Sequence, residues 1–133
     1  MLLDELTMEE KKAFWNIANV LASVDGRVME EVSILNQYNE EMGVNFAFID
    51  ASLVDVKKEI ESIKSSSLRS RKIVYFELFG VAYADTEFDD SEKAVLDEVS
   101  SGLGITGDDR EVLEQSVRTI YDTYRKIGEV LDV

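Results

Sequence analysis

An apolar segment in the middle of the chain constrains the fold more than any other feature. Residues 73–82 read IVYFELFGVA, and the apolar character continues to Ala84. The first four of these residues also suit a β-strand, but the length of the run favours a helix. A helix that is apolar on all sides is normally buried. The sequence therefore predicts a central, buried helix over about Leu68 to Ala84.

Amphipathic helices are predicted on both sides of this segment. The chain contains no proline and seven glycines, so few residues interrupt a helical pattern. Thr7 and Glu10 form a capping-box signature before the first helix, which should end near Asp25. The other predicted helices span about Met29–Met42, run from an Asp50 cap through Leu53 to Ile63, span about Ser91–Leu103, and follow a Thr106 cap to Leu131. The pattern predicts one all-α domain over residues 1–133, a bundle of six to seven helices.

Two segments sixty residues apart resemble each other. Residues 22–31 read ASVDGRVMEE and residues 82–91 read AYADTEFDDS, each between an apolar helix and an amphipathic one. Related phrases then end the second helix of each copy, MGV at 42–44 and LGI at 103–105. We interpret the chain as two pseudo-repeated helix–loop–helix halves, about 1–48 and 68–133, joined by a basic helix and linker over 49–67.

The second of these segments resembles the TerB-like family. The phrase at residues 84–93, ADTEFDDSEK, carries the resemblance most clearly. This family includes tellurite-resistance TerB proteins and the N-terminal domain of some membrane-anchored J-domain co-chaperones. The resemblance implies an all-α fold with pseudo-two-fold halves and an acidic surface that binds divalent cations. Thr86 departs from the glycine usual after the aspartate, and no J-domain or transmembrane segment is present, so membership is favoured over equivalence to a tellurite-resistance protein.

Carboxylates in the two acidic segments are the candidate metal ligands. The chain has no histidine and no cysteine, so a bound metal would take oxygen ligands, as calcium, magnesium or manganese do. The candidates are Asp25, Glu30, Glu31, Asp85, Glu87, Asp89, Asp90 and Glu92. The spacing is not that of an EF-hand, because Asp90 stands where that loop requires glycine. The alternative is that these side chains only cap helices and complement helix dipoles, so no cofactor is certain.

Basic side chains concentrate between the two acidic halves. The chain carries 28 acidic and 14 basic residues, a net charge of −14, which opposes binding to nucleic acid or to an anionic membrane. Residues 57–72 invert this balance and supply the candidate partner-binding residues: Lys57, Lys58, Lys64, Arg69, Arg71 and Lys72. An unknown acidic protein, or a second copy of the chain in a homodimer, would dock there. The alternative is that they form salt bridges within the chain.

Enzymatic chemistry is not predicted. No nucleophile elbow, phosphate loop or cofactor fingerprint is present, and adjacent carboxylates such as Asp89 and Asp90 point in different directions from a helix start. Most aromatic residues are assigned to the core. Trp15 is the exception: because Asn16 and the pair at 11–12 flank it with polar groups, we expect it to lie on a surface groove.

These observations predict a non-catalytic binding module. The N-terminal residues do not form a signal peptide and no stretch of about 20 apolar residues exists, so a cytoplasmic location without membrane insertion is expected. The expected ligand is a divalent cation, a protein partner, or both, and a link to stress follows from the resemblance alone. The alternative is a metal-free protein-interaction domain that docks through residues 57–72 or an apolar groove.

Overall fold

The computed structural model describes residues 2–23, 29–83 and 90–132. Within these ranges every regular element is a helix and there is no strand, which confirms the predicted all-α class. The α-helices are α1 (Met8–Ser23), α2 (Met29–Met42), α3 (Val56–Ile63), α4 (Leu68–Tyr83), α5 (Asp90–Gly102) and α6 (Gly107–Leu131). Two short 3-10 turns span Leu3–Glu5 and Ala51–Leu53. No helix in the described ranges combines the length and apolar character needed to cross a bilayer.

Helix α4 is the centre of the bundle, as its composition predicts. Helices α1, α2, α5 and α6 and the first 3-10 turn all contact it, whereas α3 packs on α1 and α5. Its buried apolar residues are Ile73, Val74, Tyr75, Leu78, Phe79, Val81 and Ala82. Full burial of a large apolar side chain contributes roughly 1.5–3 kcal/mol, so this helix anchors the core that the surrounding helices share.

The predicted N-terminal caps are present at both ends of the chain. The Thr7 amide donates to the Glu10 carboxylate at 2.8 Å, and the Glu10 amide donates to the Thr7 hydroxyl at 3.2 Å. The Thr106 hydroxyl accepts from the Asp109 amide at 3.2 Å. These bonds satisfy amides that a helix leaves without an internal acceptor, so α1 and α6 begin where the sequence predicts.

The phrases MGV and LGI form the same C-terminal cap. Gly43 and Gly104 each have a φ of 68°, a left-handed conformation that glycine adopts without strain. The Val44 amide donates to the Asn39 carbonyl at 3.1 Å, and the Ile105 amide donates to the Ser100 carbonyl at 3.0 Å. Both are Schellman motifs. The larger interpretation, two repeated halves, stays a prediction.

The prediction for the third helix was wrong at its start. Asp50 caps only the 3-10 turn, accepting from the Ser52 amide at 2.9 Å. Asp55 then caps α3 and accepts from the Lys58 amide at 3.3 Å. An aspartate whose side chain accepts from a nearby amide stabilises a helix start and disfavours a position inside a helix. The segment therefore forms two separate elements, the 3-10 turn and α3, each with its own aspartate cap. Leu53, predicted to belong to that helix, lies in the 3-10 turn and is 76% exposed.

We expect Gly102→Ala to destabilise the fold and Gly128→Ala to stabilise it. A methyl group at Gly102 would stand 2.7 Å from the Cγ2 methyl of the buried Ile60, whereas one at Gly128 would meet nothing within 4 Å. Overpacking of this kind costs about 1–3 kcal/mol, and replacing glycine inside an exposed helix contributes up to about 1 kcal/mol. Urea unfolding measures both. Equal effects of the two substitutions would contradict the close packing of α5 on α3.

Candidate functional site

The eight candidate metal ligands are divided between described and undescribed residues. Asp25, Asp85, Glu87 and Asp89 lie outside the described residues. Glu30 and Glu31 belong to the first turn of α2. Among the described side chains, no group of three or more acidic residues is placed to hold a metal ion. The cation site at the acidic segments therefore stays a prediction.

The two candidates in the first turn of α5 have opposite environments. Asp90 is exposed, whereas the side chain of Glu92 is only 2% exposed. Both lie at the positive end of the α5 dipole, which favours a negative charge. A carboxylate is rarely buried to this extent unless it is paired, and Glu92 takes part in such an interaction within the chain.

Three of the six basic candidates lie on or beside α3 and point to solvent. Lys57 and Lys58 are exposed on this helix. Lys64, at its C-terminal cap, has a 64% exposed side chain and stands 4.0 Å from Glu61. An exposed pair at that distance contributes little stability, so these three lysines remain available to a partner.

The other three basic candidates bind groups of the same chain. Arg69 donates to the Glu5 carboxylate at 2.8 Å. Arg71 donates to the Leu103 carbonyl at 2.5 Å, at the end of α5, and Lys72 pairs with Asp109 at 2.9 Å. These contacts match the alternative interpretation of the basic segment, salt bridges and caps within the chain, for the part that lies on α4.

The prediction for Trp15 was wrong, because its indole is buried rather than on a surface groove. Only 2% of the side chain is exposed. Its Nε1 donates to the Ala47 carbonyl at 2.8 Å, and its ring packs against Phe46 and Phe48 of the linker after α2. Residues 46–48 thus cover the face of α1 that we expected to be exposed because the neighbours of Trp15 are polar.

A cleft lies between α2, α4 and α6. Its volume is about 460 Å³, within the range of small-ligand sites. The side chains that define its chemistry are Tyr38, Glu41, Phe76, Glu77, Tyr121 and Tyr124. We call this site the aromatic–acidic cleft. It combines phenol rings and an apolar wall with two carboxylates.

Gly80 forms the floor of the aromatic–acidic cleft. Its carbonyl accepts from the Tyr121 hydroxyl at 3.2 Å. A methyl group at this position would stand 3.2 Å from the Tyr38 hydroxyl and 3.9 Å from the Tyr121 hydroxyl. The two phenols therefore approach α4 closely because no side chain separates them from its backbone.

Glu77 places a negative charge at the inner wall of the cleft. Only 5% of its side chain is exposed, and its Oε1 accepts from the Leu2 amide at 3.2 Å. Burial raises the pKa of Tyr38 well above its ordinary value, and the neighbouring Tyr121 and Glu77 raise it further. Burial also raises the pKa of Tyr121 to about 12, with Glu77 as the second cause. Both phenols therefore stay neutral near pH 7, and the ionisable charge in the cleft is negative.

Sequence reasoning did not identify this cleft. It placed Tyr38 and Tyr121 with the core residues, and it assigned no role to Glu77 or Gly80. The cleft joins three helices that are distant in the sequence, so no local spacing describes it. The available signal was a charged residue and a glycine, three positions apart, inside an otherwise apolar buried helix.

We expect stability to fall with rising pH above about pH 10. Unfolded tyrosines ionise near that value, whereas burial raises the folded-state pKa of Tyr38, Tyr75 and Tyr121. The contribution of these three tyrosines to the free energy of unfolding is therefore fully present below about pH 10. It is lost at higher pH, because the unfolded chain releases the phenol protons first. Urea unfolding from pH 8 to 11, with tyrosinate absorbance, measures this. Tyr121→Phe should reduce the dependence, and a single tyrosine ionisation step at the ordinary pKa in the folded protein would contradict the expectation.

Comparison with protein-family models identifies one match. The model described as "Tellurite resistance protein TerB" matches residues 5–115. Comparison with curated proteins and with solved structures gives no match. The matched range includes α1 to α5 and the first part of α6, and it ends before Tyr121 and Tyr124 of the cleft.

Proposed function

The chain belongs to the tellurite resistance protein TerB family, and we propose that it is a non-catalytic binding module that holds a divalent cation at its acidic segments. Membership confirms the resemblance found in the sequence. A role in a stress response belongs to the same proposal and derives from the family. The cation would be calcium, magnesium or manganese, because the chain offers oxygen ligands and neither histidine nor cysteine.

The observation that carries the cation proposal is the concentration of carboxylates around the start of α5. Asp85, Glu87, Asp89, Asp90 and Glu92 lie within eight consecutive residues. Carboxylates close together repel one another. A hard cation bound among them would offset that repulsion. The competing explanation is helix capping at the start of α5, where the helix dipole also favours negative charge.

The non-catalytic part of the proposal rests on side-chain chemistry. Without histidine, the chain lacks the side chain whose ordinary pKa lies nearest neutral pH. Without cysteine, it also lacks the most readily activated nucleophile. The aromatic–acidic cleft contains tyrosines whose pKa is raised rather than lowered, so almost none of the phenolate that could act as a base or nucleophile is present at neutral pH. Binding is therefore the better-supported activity.

We expect one divalent cation to raise the unfolding temperature at micromolar concentration. At a hundred times its dissociation constant, a ligand stabilises the folded state by about 2.7 kcal/mol, which corresponds to several degrees for a domain of this size. The measurement is thermal unfolding after chelation, with calcium, magnesium and manganese added back separately. The double variant Asp25→Asn with Asp85→Asn should lose the response.

A charge-matched control separates a site from general screening. Asp4→Asn with Asp108→Asn removes the same charge from two exposed positions outside the acidic segments and should keep the full response. Sodium chloride at matched ionic strength accounts for screening of the net charge of −14. If all three cations act alike and only at millimolar concentration, the acidic segments are a solvated surface and the cation proposal is wrong.

The second candidate is a protein-interaction domain that needs no metal. Two observations favour it: the open aromatic–acidic cleft, and large apolar side chains that α6 leaves exposed. The groove expected at Trp15 does not exist, and half of the basic segment binds the chain itself, so these surfaces support the second candidate less than the cleft does. Association that persists in the presence of a chelator would favour this candidate over the first.

A further inference from the structure

Helix α6 carries an apolar stripe that extends past the bundle. Its residues are spaced alternately four and three apart: Leu113, Val117, Ile120, Tyr124, Ile127 and Leu131. This spacing keeps one face of a helix apolar and is the spacing of helix–helix seams. Val117 is buried and Leu113 packs against the core. Tyr124, Ile127 and Leu131 are 69%, 48% and 76% exposed, so the described residues leave the second half of the stripe uncovered.

The exposed half of the stripe continues into the aromatic–acidic cleft. Tyr124 belongs to both, because it lines the cleft and begins the exposed half. From Tyr124 to Leu131 the stripe is roughly 10 Å long at the helical rise per residue. We call the combination the α6 docking surface: an apolar strip about two helical turns long with an acidic cleft at one end. The family match ends at residue 115, so the apolar strip lies beyond it, whereas the part of the cleft on α2 and α4 lies within it.

The carboxylates of the cleft favour a basic occupant. Glu41 and Glu77 are the ionisable carboxylates of the cleft, and the phenol rings beside them also attract cations through their faces. The alkyl stem of a lysine or arginine would lie along Phe76 and Ile120 while its charged group meets the carboxylates. A net charge of −14 also steers a basic partner toward this protein and opposes a second copy of the chain.

We propose that the α6 docking surface binds an amphipathic, basic helical segment of a partner protein. Apolar residues of that segment would cover Tyr124, Ile127 and Leu131, as an amphipathic helix covers a groove. A lysine or arginine about one helical turn further on would enter the cleft. The proposal refines the metal-free protein-interaction candidate and does not depend on a bound cation.

The test uses an 18-residue peptide of leucine and lysine with helical periodicity, labelled for fluorescence anisotropy. Titrations contain EDTA and salt at about 150 mM. Peptide binding is therefore measured without divalent cations, and the result does not depend on whether the cation proposal is correct. Ile127→Gln with Leu131→Gln should weaken binding by roughly tenfold or more, since each 1.4 kcal/mol of lost apolar contact is tenfold. The matched control, Leu53→Gln with Val112→Gln, changes side chains that are 76% and 64% exposed elsewhere and should leave the affinity within about twofold of the wild-type value.

A second pair of variants tests the cleft. Glu41→Gln should weaken peptide binding by several fold. Glu40 is the exposed neighbour on α2, and Glu40→Gln removes the same charge outside the cleft, so it should leave the affinity unchanged. Gly80→Ala should also weaken binding, because its methyl group would crowd Tyr38 on the cleft floor. Circular dichroism establishes that each variant is folded before its affinity is interpreted.

Three outcomes would overturn the proposal. The first is no binding of the leucine–lysine peptide to the wild-type protein. The second is equal weakening by the members of either matched pair, which would mean that only net charge attracts the peptide. The third is a dimer in sedimentation that dissociates on Ile127→Gln with Leu131→Gln, which would assign the surface to a second copy of the chain.

Discussion

Burial of α4 is the constraint on which the rest of the structure depends. Because this helix is apolar on nearly every side, it is stable only when other elements surround it, and α1, α2, α5, α6 and the first 3-10 turn do so. Polar groups buried against α4 form hydrogen bonds and ion pairs. The Tyr75 hydroxyl donates to Glu114 at 2.5 Å, and Arg110 binds Glu114 at 2.6 Å and Asp97 at 2.7 Å. This network joins α4, α5 and α6 and offsets the cost of burying a phenol.

The same constraint explains why a cleft exists. Helices α2 and α6 both cover α4, and because Gly80 carries no side chain, the phenols of Tyr38 and Tyr121 lie against its backbone. Helix α6 then continues past the bundle with Tyr124, Ile127 and Leu131 exposed. An acidic TerB-family protein thus offers a partner one apolar surface beside one negatively charged cleft. The proposed binding of a partner rests on this combination.

Much of the fold, and less of the site, was predictable from the sequence. The caps at Thr7 and Thr106 and the glycine stops at Gly43 and Gly104 depend on bonds within a few residues, so the local pattern was sufficient to place them. Asp55 was missed because Asp50 offered an equally good cap five residues earlier. Trp15 was misplaced because its cover, the linker with Ala47 and Phe48, is distant in sequence. Polar neighbours along a helix do not reveal what packs across it.

The sequence by itself determined the helical class, the central position of α4, the acidic character and the family, because each depends on composition or on the spacing of neighbouring residues. Only the tertiary structure decided which side chains share a surface. It tied Arg69, Arg71 and Lys72 to partners in the chain, buried Glu92, and brought Tyr38, Glu77 and Tyr121 together from three helices. The physical reason is that a cleft is formed by the angles and distances between packed helices. Those depend on how all side chains of the core fit at once, which no single segment encodes.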